Sequence, residues 1–408
     1  MVGKSSFVRL FVLDKSVKLL HNIFMEKIYY LDNAATTKPF EESIEIYKEC
    51  VSDFYNPSAA YRQAIAVRKK FEEARQVITN LLGGKNGRLL FTSSATESNN
   101  TVFDGVHLRK GQVVLVSKSE HPAVFQAAHR LEQKGIIVKD LPLNSVGQVD
   151  FDEFKKLMTN EVALVSVIHV SNETGAINDV KKLCEFAKSV NPKVVFHSDG
   201  VQAFGKIKVN LNNLGVDLYT ISAHKIYAPK GVAGLWIKNG IFVDPLLVGG
   251  GQETGLRSST ENVFGALALA YSAKKAIGEI EQNNAKVLQK RRNLIDLLQK
   301  SEISCDFSIN ECKNQSPYIL SILFKGIKGE VLIHALEDDG ILVSTGSACS
   351  SKKAGNRTLE AIGKTADEVV GSVRISFSAY DDFDENYVAD SIVKNVLRFE
   401  KNIKVTKG

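Results

Sequence analysis

The 408-residue sequence lacks any apolar run of the roughly 18 residues needed to cross a bilayer; its longest candidates are broken by charge, as Arg9 breaks Phe7 to Leu13. No membrane association is expected. It has no Cys-x-x-Cys pair, and its five cysteines fall at irregular intervals in a chain too long to need covalent staples. That excludes a disulfide framework and points to free thiols in a reducing, cytoplasmic compartment. Neither sign of charge dominates: 52 Lys and Arg against 46 Asp and Glu leave +6, too thin a surplus for a nucleic-acid-binding stripe. Gly-x-Gly-x-x-Gly and Walker-type sequences are both missing, so dinucleotides and nucleoside triphosphates lose their usual signature. The histidines and cysteines show no metal-ligand spacing, and no internal repeat or low-complexity tract is present.

What remains is a chain rich enough in apolar residues, at 44%, to build two or three cores. Residues 1–24 carry Lys4, Arg9, Lys15 and Lys18 against Asp14, a basic pattern that a transit peptide could share. The strand-like Lys27-Ile28-Tyr29-Tyr30-Leu31 begins directly after Met25, so 1–24 is read as a non-native or disordered extension. A helix follows with Ile65, Phe71, Ala74, Ile78 and Leu81 on one face and Gly83-Gly84 as its stop. From residue 88 onward, short β-branched runs alternate with helical patterns, the signature of an α/β fold with a mostly parallel sheet. Leu89–Thr92, Val113–Ser117, Ile136–Leu141, Val162–Val167, Val194–His197, Leu218–Ser222 and Gly234–Ile237 make seven strands, each apolar enough to be covered on both faces. Helical spacing from Asn262 to Lys300 predicts one long helix linking two domains, and residues 301–408 read as a smaller α+β unit. The expected division is a large domain, 38–262, and a small domain made of 25–37 with 263–408.

Parallel sheets bind ligands beyond the carboxyl ends of their strands, and polar clusters stand at those places. Thr92-Ser93-Ser94-Ala95-Thr96-Glu97 carries a strand into a helix whose N-terminus suits a phosphate, although taken alone it is better explained as an ordinary Ser/Thr cap. Asp199-Gly200-Val201-Gln202 follows a strand; Asp199 could pair with a protonated ring nitrogen, as pyridoxal phosphate (PLP) requires, or cap a helix. Ser222-Ala223-His224-Lys225 also follows a strand. Lys225 could be a solvated charge or a Schiff-base amine, and Ser222 and His224 flank it as a phosphate anchor would. His121 stands just past another strand end, where an imidazole could stack on a planar cofactor and move protons near neutral pH. His21, His107 and His129 read as structural, Cys50 and Cys184 as packed thiols, and Cys305 and Cys312 as incidental. Cys349 differs: it lies in Ser344-Thr345-Gly346-Ser347-Ala348-Cys349-Ser350-Ser351-Lys352-Lys353-Ala354-Gly355, without apolar neighbours and beside two cations that favour a thiolate.

Together these stretches, with Leu31-Asp32-Asn33-Ala34-Ala35-Thr36-Thr37, His169 to Gly175, Gly249 to Thr260 and Arg374-Ile375-Ser376-Phe377, resemble the cysteine desulfurases of the NifS/IscS type, PLP enzymes of fold type I related to class V aminotransferases. The resemblance runs from Met25 to the C-terminus. It implies that Lys225 holds PLP, Asp199 stabilises its ring nitrogen and His121 stacks on the ring. Ala95, Thr96, Ser222 and His224 would bind the phosphate, with Thr260 reaching in from the second subunit of a homodimer. Asn172 and Gln202 would meet the phenolic oxygen, Arg374 with Asn33 and Asn172 would hold the substrate, and Cys349 on a mobile loop would accept sulfur from L-cysteine. The sulfur would pass to an acceptor protein, such as an iron–sulfur scaffold, a tRNA thiolation enzyme or a thiamine-pathway partner. A selenocysteine lyase, a class V aminotransferase and a non-catalytic sulfur-transfer scaffold are the alternatives. The chain departs from the family pattern at Ser94, which would crowd the phosphate turn if that position needed positive φ, at Tyr61, and at Gly200, which would loosen the loop after Asp199.

Overall fold

The computed structural model describes residues 27–303, 307–346 and 356–406; the expected extension 1–24 and Cys349 lie outside the described residues. Its strands, in chain order, are β1 (Tyr29–Tyr30), β2 (Gly87–Thr92), β3 (Val113–Ser117), β4 (Ile137–Leu141), β5 (Val162–Ser166), β6 (Val195–Asp199), β7 (Leu218–Ser222), β8 (Ala233–Lys238), β9 (Phe307–Ile309), β10 (Ile319–Phe324), β11 (Ile341–Leu342) and β12 (Ser372–Ser376). Seven of them form one sheet in the order β2-β8-β7-β6-β5-β3-β4. β4, β3, β5, β6 and β7 pair in parallel, while β8 runs antiparallel to both β7 and β2. β2 is therefore parallel to β7, and six carboxyl ends point to one edge of the sheet.

Apolar patterning explains this arrangement strand by strand. All five residues of β3 and of β7 are buried, as a strand covered by helices on both faces demands. On one face, Phe71 and Ile78 of helix Arg62–Leu81 meet Trp236, Phe196 and Leu269; on the other, Phe103, Val116 and Val124 form a second core. β4 departs from the expectation of a doubly covered strand. It is the sheet's edge, and Ile137 is 46% exposed. In helix Arg62–Leu81 the buried stripe runs through Ala64, Val67, Phe71, Ala74 and Ile78, at steps of three and four, which leaves Ile65 a hundred degrees off the stripe and 45% exposed. Gly83 ends the turn at φ +63°, as a stop glycine should.

The single helix expected from 262 to 300 is two helices, Val263–Gly278 and Ile280–Gln299, broken at Glu279, where φ is −107° and ψ is 11°. The break separates two packing tasks. Val263, Ala266, Leu269 and Ala273 fill the core of the large sheet, whereas Val287, Leu294 and Leu298 pack in a third core with Leu320, Phe324, Leu332 and Val388. That third core lies under the antiparallel sheet β12-β10-β9, helix Gly329–Asp338 and the final helix Glu385–Thr406. β1 pairs with β11 beside it, and from there the chain crosses to the large sheet through residues 32–37.

Candidate active site

A cavity of about 670 Å³ opens at the carboxyl edge of the sheet. Five of the six strand ends deliver residues to it: β2 through Ala95 and Thr96, β3 through His121, β5 through Asn172, β6 through Asp199 and Gln202, and β7 through Ser222, His224 and Lys225. Arg374 enters from β12. Asn33 and Thr260 do not line it. Asn33 is buried, and its amide donates to the Tyr30 and Ser376 carbonyls at 3.1 Å each. Thr260 is exposed on the surface segment that Arg257 ties to Glu97 at 2.8 Å.

The Lys225 Nζ donates to the carbonyls of Ala34 and Ala35, both at 2.7 Å, so the 32–37 segment is drawn directly over the lysine. Thr37 holds that segment down: its N–H meets the His224 carbonyl at 2.8 Å, and its hydroxyl accepts from the Tyr227 N–H at 2.7 Å. Asp199 is buried at the end of β6, where Oδ2 accepts from Asn99 Nδ2 at 2.8 Å and Oδ1 from the Val201 N–H at 3.0 Å. Two fixed contacts aim the carboxylate, and the Asp199 backbone carbonyl accepts from the His169 N–H at 2.9 Å.

His121 caps helix Pro122–Arg130. Its Nδ1 accepts from the Ala123 N–H at 3.1 Å, which assigns the proton of the neutral ring to Nε2. Burial lowers its pKa, Lys225 and Arg357 lower it further, and Asp199 opposes them. His224 is lowered to about 4, first by burial and then by Lys225 and the other nearby cations. Both imidazoles are neutral at neutral pH. Arg374 donates to Asp32 Oδ1 and to the Asn172 carbonyl, both at 2.9 Å, and its buried Nε has no partner among the described residues.

At the other end, Ser94 is the N-cap of helix Ala95–Gly105, its hydroxyl accepting from the Glu97 N–H at 3.1 Å. Its φ is −161°, ordinary extended backbone, so the crowding expected at this position does not arise. The open N–H groups at that helix start, with Thr96, Ser222 and His224 around them, suit a phosphate. Gly200 does not loosen the loop after Asp199 either: a Cβ there would lie 2.0 to 2.2 Å from the Tyr219 phenol, whose ring occupies the space.

Several cavity groups went unnoticed in the sequence. Glu120 is buried beside His121, and its pKa is raised well above the usual carboxylate range by burial and by the charge of Asp199. The carboxylate of Glu173 accepts from Asn172 Nδ2 at 2.9 Å and Asn356 Nδ2 at 3.0 Å, with its pKa also raised by burial. Arg357 donates to the Lys118 carbonyl at 2.9 Å and stacks on Phe125. A signal was available for Asn99, which lies one helical turn beyond Ala95 and so shares its face. For Glu120 and Glu173 there was none, because a carboxyl in a polar run reads as solvated charge.

The donor set fits PLP: an amine for its aldehyde, a fixed carboxylate for its ring nitrogen, a neutral imidazole, and an anion site at a helix start. Residues 29–386 match the model of the family described as aminotransferase class-V. The cysteine desulfurase IscS of Dictyoglomus turgidum is 37% identical over 395 residues, covering 94% of this chain and all of that one. Among solved structures, a NifS-like protein superposes with a TM-score of 0.83 at 31% identity, covering 92% of this chain and 100% of the other. A NifS-like protein from Rickettsia africae gives 0.78 at 26%, covering 92% and 99%. The chain belongs to the class-V aminotransferase family and, within it, is a PLP-dependent cysteine desulfurase.

Proposed function

We propose that this enzyme converts L-cysteine to L-alanine with Cys349 as the first sulfur acceptor, and that a persulfide on Cys349 then serves a second protein. The observation that carries the reading is the convergence of Lys225, Asp199, His121 and Arg374 on one cavity. Lys225 is the amine that would attach PLP. Asp199, held by Asn99 and Val201, would keep a proton on its ring nitrogen. Ala95, Thr96, Ser222 and His224 would hold its phosphate, His121 would stand against its ring, and Asn172 and Gln202 would meet its phenolic oxygen. When bound, PLP supplies the sink for the electron pair left at the substrate α-carbon. Arg374 takes the substrate carboxylate, with Asn172 beside it and Asn33 fixing the strand crossing behind. Lys225 Nζ removes the α-proton, and the neutral His121 offers its Nε2 proton nearby. The Cys349 thiolate attacks the substrate sulfur: an S–S bond forms, the C–S bond breaks, and its electron pair stays with carbon, which is protonated and leaves as alanine.

The protein loaded with PLP and given L-cysteine and a reducing thiol should release alanine in step with sulfide, and Cys349→Ser should abolish both. Undiminished alanine from Cys349→Ser would remove the persulfide assignment. A selenocysteine lyase would keep activity on selenocysteine in that variant, an aminotransferase would form a keto acid, and a non-catalytic scaffold would purify colourless.

The same reading includes a homodimer. Thr260 is exposed, and Val248, next to the Leu247 carbonyl that accepts from the Ser258 N–H, is 82% exposed, as a surface awaiting a second copy would be. It also includes a two-domain organisation. The large domain is 38–262 and the small one 25–37 with 263–408; the packing of helix Val263–Gly278 in the core of the large sheet, and of Tyr29 and Leu31 in the small core, supports two units that meet near Glu279. Three described cysteines are free, and no described helix is long and apolar enough to cross a membrane; both accord with a cytoplasmic enzyme. The acceptor is an iron–sulfur scaffold, a tRNA thiolation enzyme or a thiamine-pathway protein.

A further inference from the structure

Lys206 lies beneath the cavity with only 3% of its surface exposed, and it is not among the residues that line it. Burying an ammonium is costly unless something needs it there. Among the described ion pairs none gives Lys206 a carboxylate; its Nζ donates to Gln202 Oε1 at 2.8 Å, and the Tyr318 ring stands 5.8 Å away. Burial, together with the charges of Lys225 and Arg374, lowers its pKa to about 7. A Leu or Met would fill the space without that cost. The chain nevertheless turns back on itself to bring the amine here, through Gly205 at φ +75°.

The chemistry of the two contacts on Gln202 is unambiguous. The lysine amine donates to the amide oxygen, an orientation that the contact at the other end of the amide fixes. The other end of the same amide meets the Ala34 carbonyl at 2.9 Å, an acceptor, so the atom there must be Nε2. That carbonyl is one of the two that receive Lys225 Nζ. One hydrogen of the Gln202 NH₂ is thereby used, and the second is left for an acceptor in the cavity that Gln202 lines. Without Lys206, the Ala34 carbonyl alone would oppose a half-turn of the amide that presented an oxygen to the cavity, and Oε1 would be left without its donor.

We infer that Lys206 is a positioning residue that locks the Gln202 amide with its N–H edge toward the cavity, ready to donate to the cofactor's phenolic oxygen. The inference rests on the reading of Gln202 as a cofactor ligand. Its test compares Gln202→Ala, Lys206→Met and the double variant in the PLP-loaded protein. The readouts are the pH midpoint at which the bound cofactor's visible absorbance changes and the amount of PLP kept on dilution.

Gln202→Ala should move the midpoint by about half a pH unit or more and weaken PLP retention by about 2- to 10-fold, the range of one hydrogen bond. Lys206→Met should move both in the same direction, and the double variant should match Gln202→Ala. Additive shifts in the double variant would show that Lys206 acts by its charge and not through Gln202, which overturns the inference. So would a Lys206→Met protein with wild-type midpoint and retention while Gln202→Ala is altered. An unmoved Gln202→Ala would instead remove the cofactor reading of Gln202 and the inference with it. Thermal melting checks the fold of each variant, and Lys206→Gln replaces Lys206→Met if the latter does not accumulate folded.

Discussion

A side chain at position 200 would have to occupy the volume that the Tyr219 phenol fills. The two residues are one device on neighbouring strands: the missing Cβ of Gly200 admits the ring, and the phenol oxygen reaches His169 Nδ1 at 2.8 Å. Gly200→Ala should therefore destabilise the fold by about 1–3 kcal/mol, the usual cost of overpacking. It should also blur the Asp199 site directly beside it. Replacing Tyr219 by Leu in the same chain relieves the clash, so urea unfolding of the two single variants and the pair should show strong non-additivity. A Gly200→Ala protein as stable as wild type would sink the account. The same position shows why a residue is hard to judge from a chain alone. Next to Asp199, a glycine reads as slack; the register pairs Tyr219 with Ser198, and only in three dimensions does its phenol reach the space beside Gly200.

Among elements, the crossing segment 32–37 does the most for the site, because it joins the two sheets and closes over Lys225 at once. Its anchor is Thr37, buried and bonded to both the His224 carbonyl and the Tyr227 N–H. Tyr227 holds φ at +64°, an unfavourable conformation for a bulky side chain, and its ring is locked between Phe40 and Tyr380. Thr37→Val keeps the shape but leaves the Tyr227 N–H without an acceptor, which should cost about 1–3 kcal/mol. If the crossing holds the lysine as described, the variant should also lose PLP faster on dialysis; unchanged stability and unchanged retention would refute the role. The strands around this crossing were readable in the sequence because β-branched runs bounded by Gly, Asn and Ser have few other fates. The break at Glu279 was not, since apolar spacing continues through it, and the reason for the break lies in which core each half serves.

For the whole molecule, the site was legible where the sheet itself delivers a residue. Asp199 ends a strand, Lys225 and His121 each follow one, and parallel topology gathers such positions at one edge. Lys206 and Glu173 were illegible because a lone charge in a turn looks solvated until three dimensions show it buried. Burial of titratable groups has a consequence for the entire fold. His197, bonded to Ser166 and Thr220 within the sheet, is lowered to about 3, and His169 to about 4, both by burial. Unfolded, each returns to about 6.5. Below that value the unfolded chain binds protons that the folded chain refuses, so their stabilising contribution is complete above pH 6.5 and is lost as pH falls toward 4. Glu120 and Glu173, raised by burial, act in the opposite sense, losing their contribution as pH rises above the ordinary carboxylate range, and so partly offset the slope. The clean measurement is a difference: urea unfolding of the PLP-free protein from pH 7 to pH 4.5, for wild type and His197→Gln. The variant should be less stable at pH 7 but lose stability less steeply on acidification, by up to about 1.4 kcal/mol per pH unit for the one imidazole removed. Parallel curves for the two proteins would mean that His197 is not the buried neutral base described.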